Sequence, residues 1–405
     1  MKVESQKSKV ESLLGAAGLS AEGGLSSVSD SGLSAKGGQQ NNMAAIYVHI
    51  PFCYSRCAYC AFFSTTELQM RSVYIDAVIK EYGLRSGYLP QGEPVRTIYL
   101  GGGTPSQLAN RDLARLLNAL PVEQAEELTI EANPSDMTEA KLKAWRQMGI
   151  NRLSIGVQSF DDTTLAFLNR RHSSKQAKKV IRRAQDMGYT NISIDLMYAL
   201  PNQTLEQWQE DIDQALSFGV QHISTYCLSY EAGTPLYNLR AKGIVHDASD
   251  DLANAMYACL CERLKQAGYG HYEVSNFALP GYESRHNSSY WNGTPYLGLG
   301  AGAHSYDGRS RQWNVANLKR YISALIGGKV PFKREVLTPT EQYNERLMLA
   351  LRTCHGIEAT DELLSKARPY LNTGRLYVDN GRIIASIEGI NILNTIITDL
   401  MQDDE

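Results

Sequence analysis

From Ala45 onward, short β-branched or apolar runs alternate with stretches in which apolar residues recur at three- and four-residue steps. That alternation is the signature of parallel strands connected by helices that cover the sheet. The runs at 46–50, 97–100, 128–131, 152–157, 191–196 and 222–226 are predicted strands, and 72–87, 111–117, 139–148, 175–187 and 205–218 are predicted helices. Six such units predict an α/β fold, a partial (β/α)6 barrel over residues 44–230, whose working residues belong at the carboxyl ends of the strands. Residues 231–335 are expected to extend the barrel. Residues 336–405 turn mainly helical, with helices at 339–352 and 361–368, a hairpin at 376–384 turning on Asn380-Gly381, and a last helix from about 391 to 400. This order predicts a winged-helix-like unit. Its last helix carries Asp399 and no Lys or Arg, which argues against DNA reading.

Residues 1–43 break the pattern: they contain no aromatic residue and no Arg, and carry the near-repeats Gly18-Leu19-Ser20-Ala21-Glu22-Gly23-Gly24 and Gly32-Leu33-Ser34-Ala35-Lys36-Gly37-Gly38. Such a stretch cannot bury enough surface to offset its ordering entropy and is expected to be a disordered extension. Glu4, Glu11, Glu22 and Asp30 argue against a mitochondrial presequence, and Met43 is a candidate translational start. The 405 residues, 43% of them hydrophobic, suffice for one large core and a satellite, since single cores stop growing near about 250–300 residues. Seven scattered cysteines and no apolar export run point to a reducing cytoplasm. A net charge of -3 gives no global field for nucleic acid, and no basic cluster interleaved with aromatics suggests RNA as a partner. No run reaches the ~18 apolar residues of a membrane span, so an integral membrane protein is not expected.

Chemistry concentrates in Cys53-Tyr54-Ser55-Arg56-Cys57-Ala58-Tyr59-Cys60, directly after the first strand. A structural zinc site takes four ligands, usually as two separated pairs, and there is no second pair. A 4Fe-4S cluster fully ligated by protein also takes four thiolates, so three leave one iron open to a small ligand. Three buried structural cysteines are the bland alternative. The run Gly101-Gly102-Gly103-Thr104-Pro105 follows the second strand and either admits a ligand to the backbone or makes a tight turn. Glu131, Gln158 and Asp195 end apolar strands, where each is either a ligand acceptor or a cap satisfied by backbone. Cys227, in a predicted strand, and Cys259 and Cys261, on a predicted helix, read as core residues.

The C-x-x-x-C-x-x-C spacing with an aromatic before the third Cys resembles the signature of radical S-adenosylmethionine (SAM) proteins. That resemblance implies a 4Fe-4S cluster on Cys53, Cys57 and Cys60, SAM on the open iron, an electron donor for the cluster, the glycine run near the SAM amino group, and Tyr59 near adenine. Tyr47-x-His49-Ile50-Pro51-Phe52-Cys53 with Gly-Gly-Gly-Thr-Pro is similar to the oxygen-independent coproporphyrinogen III dehydrogenase family, over most of the chain from Ile46. On that likeness Tyr47, Gly102, Gly103, Thr104, Glu131, Gln158, Arg170 and Asp195 are expected to contact the cofactor, with Arg170 suited to a carboxylate.

Two departures count against porphyrinogen decarboxylation. The dehydrogenases carry a further Cys where this chain has Phe62, and an aromatic-containing N-terminal segment that residues 1–43 do not match. His286-Asn287-Ser288-Ser289-Tyr290-Trp291 instead resembles the His-Asn-x-x-Tyr-Trp motif of the sister group, the HemW haem chaperones. This implies haem held near His286, flanked by Asn287, Tyr290 and Trp291, and passed to an apo-haemoprotein such as a membrane respiratory enzyme. Read without the family, His286 is an ordinary hydrogen-bonded loop histidine. Gly298-Leu-Gly-Ala-Gly-Ala-His304-Ser305 also resembles that group, which implies His304 near the cofactor or the haem. The catalytic alternative is the dehydrogenase itself.

Overall fold

The computed structural model describes residues 43–403, so the expected extension lies, but for Met43, outside the described residues. The six expected strands form as β1 (Ala44–Ile50), β2 (Val95–Gly102), β3 (Glu127–Ala132), β4 (Arg152–Gln158), β5 (Ile192–Tyr198) and β6 (His222–Cys227). They pair in parallel and in chain order. Helices Arg71–Leu84, Asn110–Asn118, Glu139–Gln147, Ser174–Asp186 and Leu205–Leu216 follow the first five of them. Each turns one apolar stripe to the sheet, as with Leu142 and Trp145, or Trp208, Ile212 and Ala215.

The sheet does not stop at these six strands. β7 (Gly270–Glu273) and β8 (Asn276–Ala278) add antiparallel strands beyond β6. At the other end β9 (Tyr296–Leu299) lies parallel beside β1 and is followed by antiparallel β10 (His304–Tyr306), β11 (Ser310–Asn314) and β12 (Phe332–Val336). The result is one open sheet of 12 strands with β12 and β7 at its edges. β12 reads Phe-Lys-Arg-Glu-Val, a charged strand of the kind that blunts an exposed edge.

Helix Arg71–Leu84 fastens β9, β10 and β11 to the barrel through a buried ion pair. Glu81 accepts from Arg85 at 3.1 Å, from Asn314 at 2.7 Å, from the Gly300 amide at 2.8 Å and from the Tyr321 hydroxyl at 2.5 Å. Arg85 in turn donates to the Gly298 carbonyl, Ser305 and Gln312, each at 3.1 Å.

In the C-terminal portion, β13 (Ile357–Glu358), β14 (Leu376–Asp379) and β15 (Arg382–Ala385) form a small sheet in the order β13-β15-β14. Helix Asp361–Asn372 runs through Pro369, past the end expected at 368. The extra turn gains a tie, since Tyr370 donates to Asp399 on helix Leu393–Leu400. The single helix expected from about 391 to 400 forms as two, Ile387–Ile390 and Leu393–Leu400. Backbone bonds from Val274 to Arg352 at 3.0 Å and from Cys354 to Tyr272 at 3.1 Å join this portion to the sheet. No helix among the described residues is long and apolar enough to cross a membrane.

Strand alternation sorts the barrel into two faces. Ile46, Val48, Ile98, Leu100, Leu128, Ile130, Leu153, Ile155, Ile192 and Ile194 belong to the apolar core under the helices. The alternate residues face the interior and are polar or aromatic: Tyr47 and His49, Thr97 and Tyr99, Thr129 and Glu131, Arg152 and Ser154, Ser193 and Asp195, His222 and Ser224. They bond across the strands, as Tyr99 to Glu131 at 3.0 Å and Ser154 to Asp195 at 3.1 Å. A buried parallel sheet ordinarily carries apolar residues on both faces, so this interior is built for a polar occupant.

Candidate functional site

The cysteine loop is anchored at both ends by backbone. Cys53 donates to the Thr65 carbonyl at 2.9 Å and Thr65 to the Pro51 carbonyl at 2.6 Å, which closes its base. Ala58 bonds Leu168 at 3.1 Å and accepts from Leu236 at 2.9 Å, and Asn169 holds the Arg56 carbonyl at 2.7 Å. All three thiols are free and partly buried. Cys53 Sγ lies 3.4 Å from Thr104 Oγ1, and Cys57 Sγ accepts from Arg170 Nη1 at 3.3 Å. Burial raises the Cys53 thiol and pushes Cys60 up to about 12, each reinforced by the charge of its neighbouring cysteines. Among the described residues no three His, Cys, Asp or Glu side chains converge on a single metal ion. A cubane cluster takes one thiolate at each of three irons, so its ligands stand apart, and three neighbouring thiols on one loop fit that donor set.

The glycine run faces the same mouth. Gly102 has φ +109°, and a Cβ there would lie 2.5 Å from the His49 ring; one on Gly103 would meet backbone of Ile50, Pro51 and Phe52 at 2.8–2.9 Å. Only glycine fits either position. Glu131 accepts from the Gly102 amide at 3.0 Å and from the Tyr99 hydroxyl at 3.0 Å. Burial, with the nearby Asp195 carboxylate adding, pushes the Glu131 carboxyl up to about 7. Burial also raises Asp195, against hydrogen bonds from Ser224 and Ser154. Gln158 ends β4 with φ +72°, its amide and the Arg170 guanidinium both close to Gly156. Arg170 also donates to the Gly156 carbonyl, while its buried Nε has no acceptor among the described residues. An unspent guanidinium donor beside the cysteines suits a ligand carboxylate. Tyr47 donates to or accepts from His49 Nδ1 at 3.1 Å, and His49 Nε2 meets the Phe63 carbonyl at 2.8 Å.

The His286 segment is packed into the interior of the barrel in this conformation. Helix Arg285–Trp291 closes the interior from the amino-terminal side of the strands, where Glu127 accepts from the amides of Arg285 and His286, each at 3.0 Å. His286 is 1% exposed. Its Nδ1 lies 2.8 Å from the Thr97 hydroxyl and its Nε2 2.9 Å from the Tyr290 hydroxyl, and its ring stacks on Tyr99 with centroids 5.0 Å apart. Neither ring nitrogen is free for iron in this conformation. Trp291 is buried, and Tyr290 packs edge-on against Tyr296 at 4.8 Å. Asn287 bonds through its amide to the capping Ser284 at 3.3 Å.

The structure thus brings the cysteines, Thr104, Gln158 and Arg170 to one mouth, with Gly102, Glu131 and Asp195 beside it, and puts His286 beneath Tyr99. Sequence reasoning passed over Tyr99, Ser154 and Arg152. Arg152 is 1% exposed, its Nε lacks an acceptor among the described residues, and its charge reaches Asp195 and His286. The period-two polarity of β2, β3 and β4 was the signal that could have found them.

Residues 47–215 match the model of the Radical SAM superfamily. The chain is 38% identical to the Bacillus subtilis protein named "Heme chaperone HemW", over 78% of this chain and 85% of that one. It is 36% identical to the Lactococcus lactis protein of the same name, over 88% and 97%. A Bos taurus protein named "Radical S-adenosyl methionine domain-containing protein 1, mitochondrial" is 32% identical over 88% and 87%. Among solved structures, Escherichia coli coproporphyrinogen III oxidase (HemN) superposes with TM-score 0.75 at 23% identity, over 89% and 90%, a likeness of fold. With relatives this similar along most of both chains, the protein belongs to the HemW haem chaperone family of radical SAM proteins.

Proposed function

We propose that this chain binds haem and passes it to an apo-haemoprotein, and that it carries a 4Fe-4S cluster on Cys53, Cys57 and Cys60 with SAM on the open iron. The observation that carries the cofactor part is the set of three thiols on one anchored loop, with Thr104 against Cys53 and Arg170 against Cys57. Membership of a family whose relatives are named for haem supports the rest. When bound, the cluster and SAM supply one-electron reduction of the sulfonium. Arg170 would orient the SAM carboxylate, Gly102 and Gly103 would admit its methionine end to the backbone, and Thr104 would fix Cys53. Tyr47 and Tyr59 would wall the cofactor, Gln158 would face it, and Glu131 and Asp195 would accept its amino group or ribose hydroxyls.

Because the Glu131 carboxyl sits near about 7, it is mostly protonated at pH 6 and mostly anionic at pH 8. SAM affinity of the cluster-loaded protein is expected to rise across that window, and Glu131→Gln to flatten the rise. Equilibrium dialysis with labelled SAM at both pH values measures it. An unchanged slope in the variant would remove Glu131 from the cradle.

Haem titration of the cluster-loaded protein by absorbance, followed by transfer to an apo-haemoprotein, tests the function, with a porphyrinogen turnover assay on the same samples. Stoichiometric haem binding and transfer without turnover supports the chaperone reading. Porphyrinogen consumption would establish the dehydrogenase instead, although Phe62, 43% exposed, supplies no thiol where those enzymes have one. With both nitrogens of His286 engaged, His286→Ala is expected to leave haem affinity within about threefold. It is expected instead to weaken SAM binding through Tyr99 and Glu131. A tenfold loss of haem affinity would show that the helix opens to ligate iron.

A further inference from the structure

Charge is unevenly spread along this chain. The formal net charge is -3, yet residues 163–185 hold seven Lys or Arg and no Asp or Glu. The run leaves β4, passes the cysteine loop and continues as helix Ser174–Asp186. That helix buries Ala177, Val180, Ile181 and Ala184 and leaves Lys175, Lys179 and Arg182 exposed over about 10 Å of its length. Among the described residues, Arg171 is the one cation of the run in an ion pair, with Asp136 at 3.0 Å. The flanking helices differ in sign. Glu139–Gln147 adds Lys141, Lys143 and Arg146 against Glu139, whereas Leu205–Leu216 has Glu206, Glu210, Asp211 and Asp213 and no cation. The cations therefore form a strip with an edge.

The head of the strip meets the cysteine loop. Leu168 accepts from the Ala58 amide at 3.1 Å, and Asn169 donates to the Arg56 carbonyl at 2.7 Å. Arg170 donates to Cys57 Sγ at 3.3 Å, and Arg171 lies over the Tyr54 ring at 4.7 Å. On these two bonded segments Tyr54 is 52% exposed and Phe167 38%, and Arg56 is exposed as well. A solvated helix face accounts for the lysines. It does not account for two aromatic rings and two arginines held in solvent at the loop, the residue types enriched where proteins meet.

On the reading that Cys53, Cys57 and Cys60 hold a cluster, we propose that this strip and its aromatic head dock a negatively charged one-electron carrier, a protein holding a flavin or an iron–sulfur centre. The carrier loses one electron and the cluster gains it; no atom is transferred. The barrel interior lies on one side of the loop, so the electron enters from the solvent side, where Tyr54, Arg56 and Arg171 stand. Opposite charge steers such encounters and raises their rate most at low salt. Electron-transfer encounters bury less than about 1,200 Å², which a loop and one helix face can supply. The position of the strip favours a carrier over single-stranded nucleic acid, because helix Ser174–Asp186 offers no aromatic ring for bases to stack on. It favours a carrier over an anionic membrane because its head is the loop that needs an electron.

The probe is flavodoxin, an acidic flavin-mononucleotide protein, mixed anaerobically as its hydroquinone with the cluster-loaded protein. Stopped-flow absorbance follows oxidation of the hydroquinone, and titration calorimetry follows binding of the oxidised probe. For wild type both rate and affinity are expected to fall at least tenfold between about 50 and 300 mM salt. Lys175→Glu combined with Lys179→Glu is expected to lower both at least tenfold at the lower salt and to flatten the salt dependence. Tyr54→Ala is expected to slow the reaction several-fold at either salt. Lys329→Glu combined with Lys333→Glu, the same charge change on exposed residues of the sheet extension, is expected to alter neither. Excess dithionite is expected to reduce the cluster equally in every variant, the sign that each is folded and loaded. Wild-type rate and affinity in the Lys175 and Lys179 variant would overturn the docking surface and leave the cluster standing. So would a cluster that dithionite reduces and the probe does not. Failure of wild type to take up iron and sulfide would overturn the cluster itself. Anionic phospholipid vesicles and single-stranded RNA are titrated alongside, and dependence of either on these lysines without dependence of the probe would overturn the partner class.

Discussion

Replacing any one of Cys53, Cys57 and Cys60 by Ala is expected to remove nearly all the iron and sulfide that wild type takes up on anaerobic reconstitution, with the broad visible absorption they carry, while Cys259→Ala is expected to change none of these. Ligand count sets the size of this effect. On the proposed ligand set three thiols from one short loop would be the whole protein contribution to the centre, so removing one would leave an iron with neither thiolate nor SAM. A cubane held by two thiolates has two irons exposed to solvent and chelators. Cys259 lies on helix Asp250–Gln266, bonded at 3.5 Å to Gln209, and belongs to helix packing. Since the loop is also pinned by backbone at Thr65, Leu168 and Leu236, the variants are expected to keep the far-ultraviolet dichroism of wild type. Iron retention near wild type in any of the three would overturn the ligand set.

Glu81→Ala is expected to destabilise the protein by about 3–5 kcal/mol, the usual result of stripping one partner from a buried ion pair. Side-chain exposure is 0% for Glu81 and 6% for Arg85, so water cannot replace the lost carboxylate. The loss also orphans the Gly300 amide and the Tyr321 hydroxyl and takes one of two acceptors from Asn314, all of which converge on the same two oxygens. Against a typical total of about 5–15 kcal/mol this is a large share. Urea unfolding followed by dichroism measures it. Glu81→Leu combined with Arg85→Leu is expected to cost less than the sum of the two single changes, because no uncompensated charge remains. If the single change costs under about 1 kcal/mol, the pair is not what holds the β9–β11 extension to the barrel.

Residue patterns along the chain determined the six parallel strands, their covering helices and the cysteine loop. These are local properties: apolar period, strand length, and three thiols within eight residues. Polar residues at strand ends marked Glu131, Gln158 and Asp195 in the same way, because burying a polar group is costly wherever it happens. Only the tertiary structure decided which of those groups meet. Thr104 and Arg170 are 51 and 113 residues from the cysteines they touch, and no local period encodes such a distance. Strands β7 to β12 stayed hidden for a related reason. They are short, polar or glycine-containing, and are strands because of what they pair with rather than what they contain. His286 shows the limit most directly: the motif marks the residue, but its burial under Tyr99 with both nitrogens engaged follows from where helix Arg285–Trp291 docks. Sequence alone determined the chemistry available to this protein, because reactivity belongs to residue types; the fold decided which groups are free to use it, because freedom depends on neighbours brought in from far along the chain.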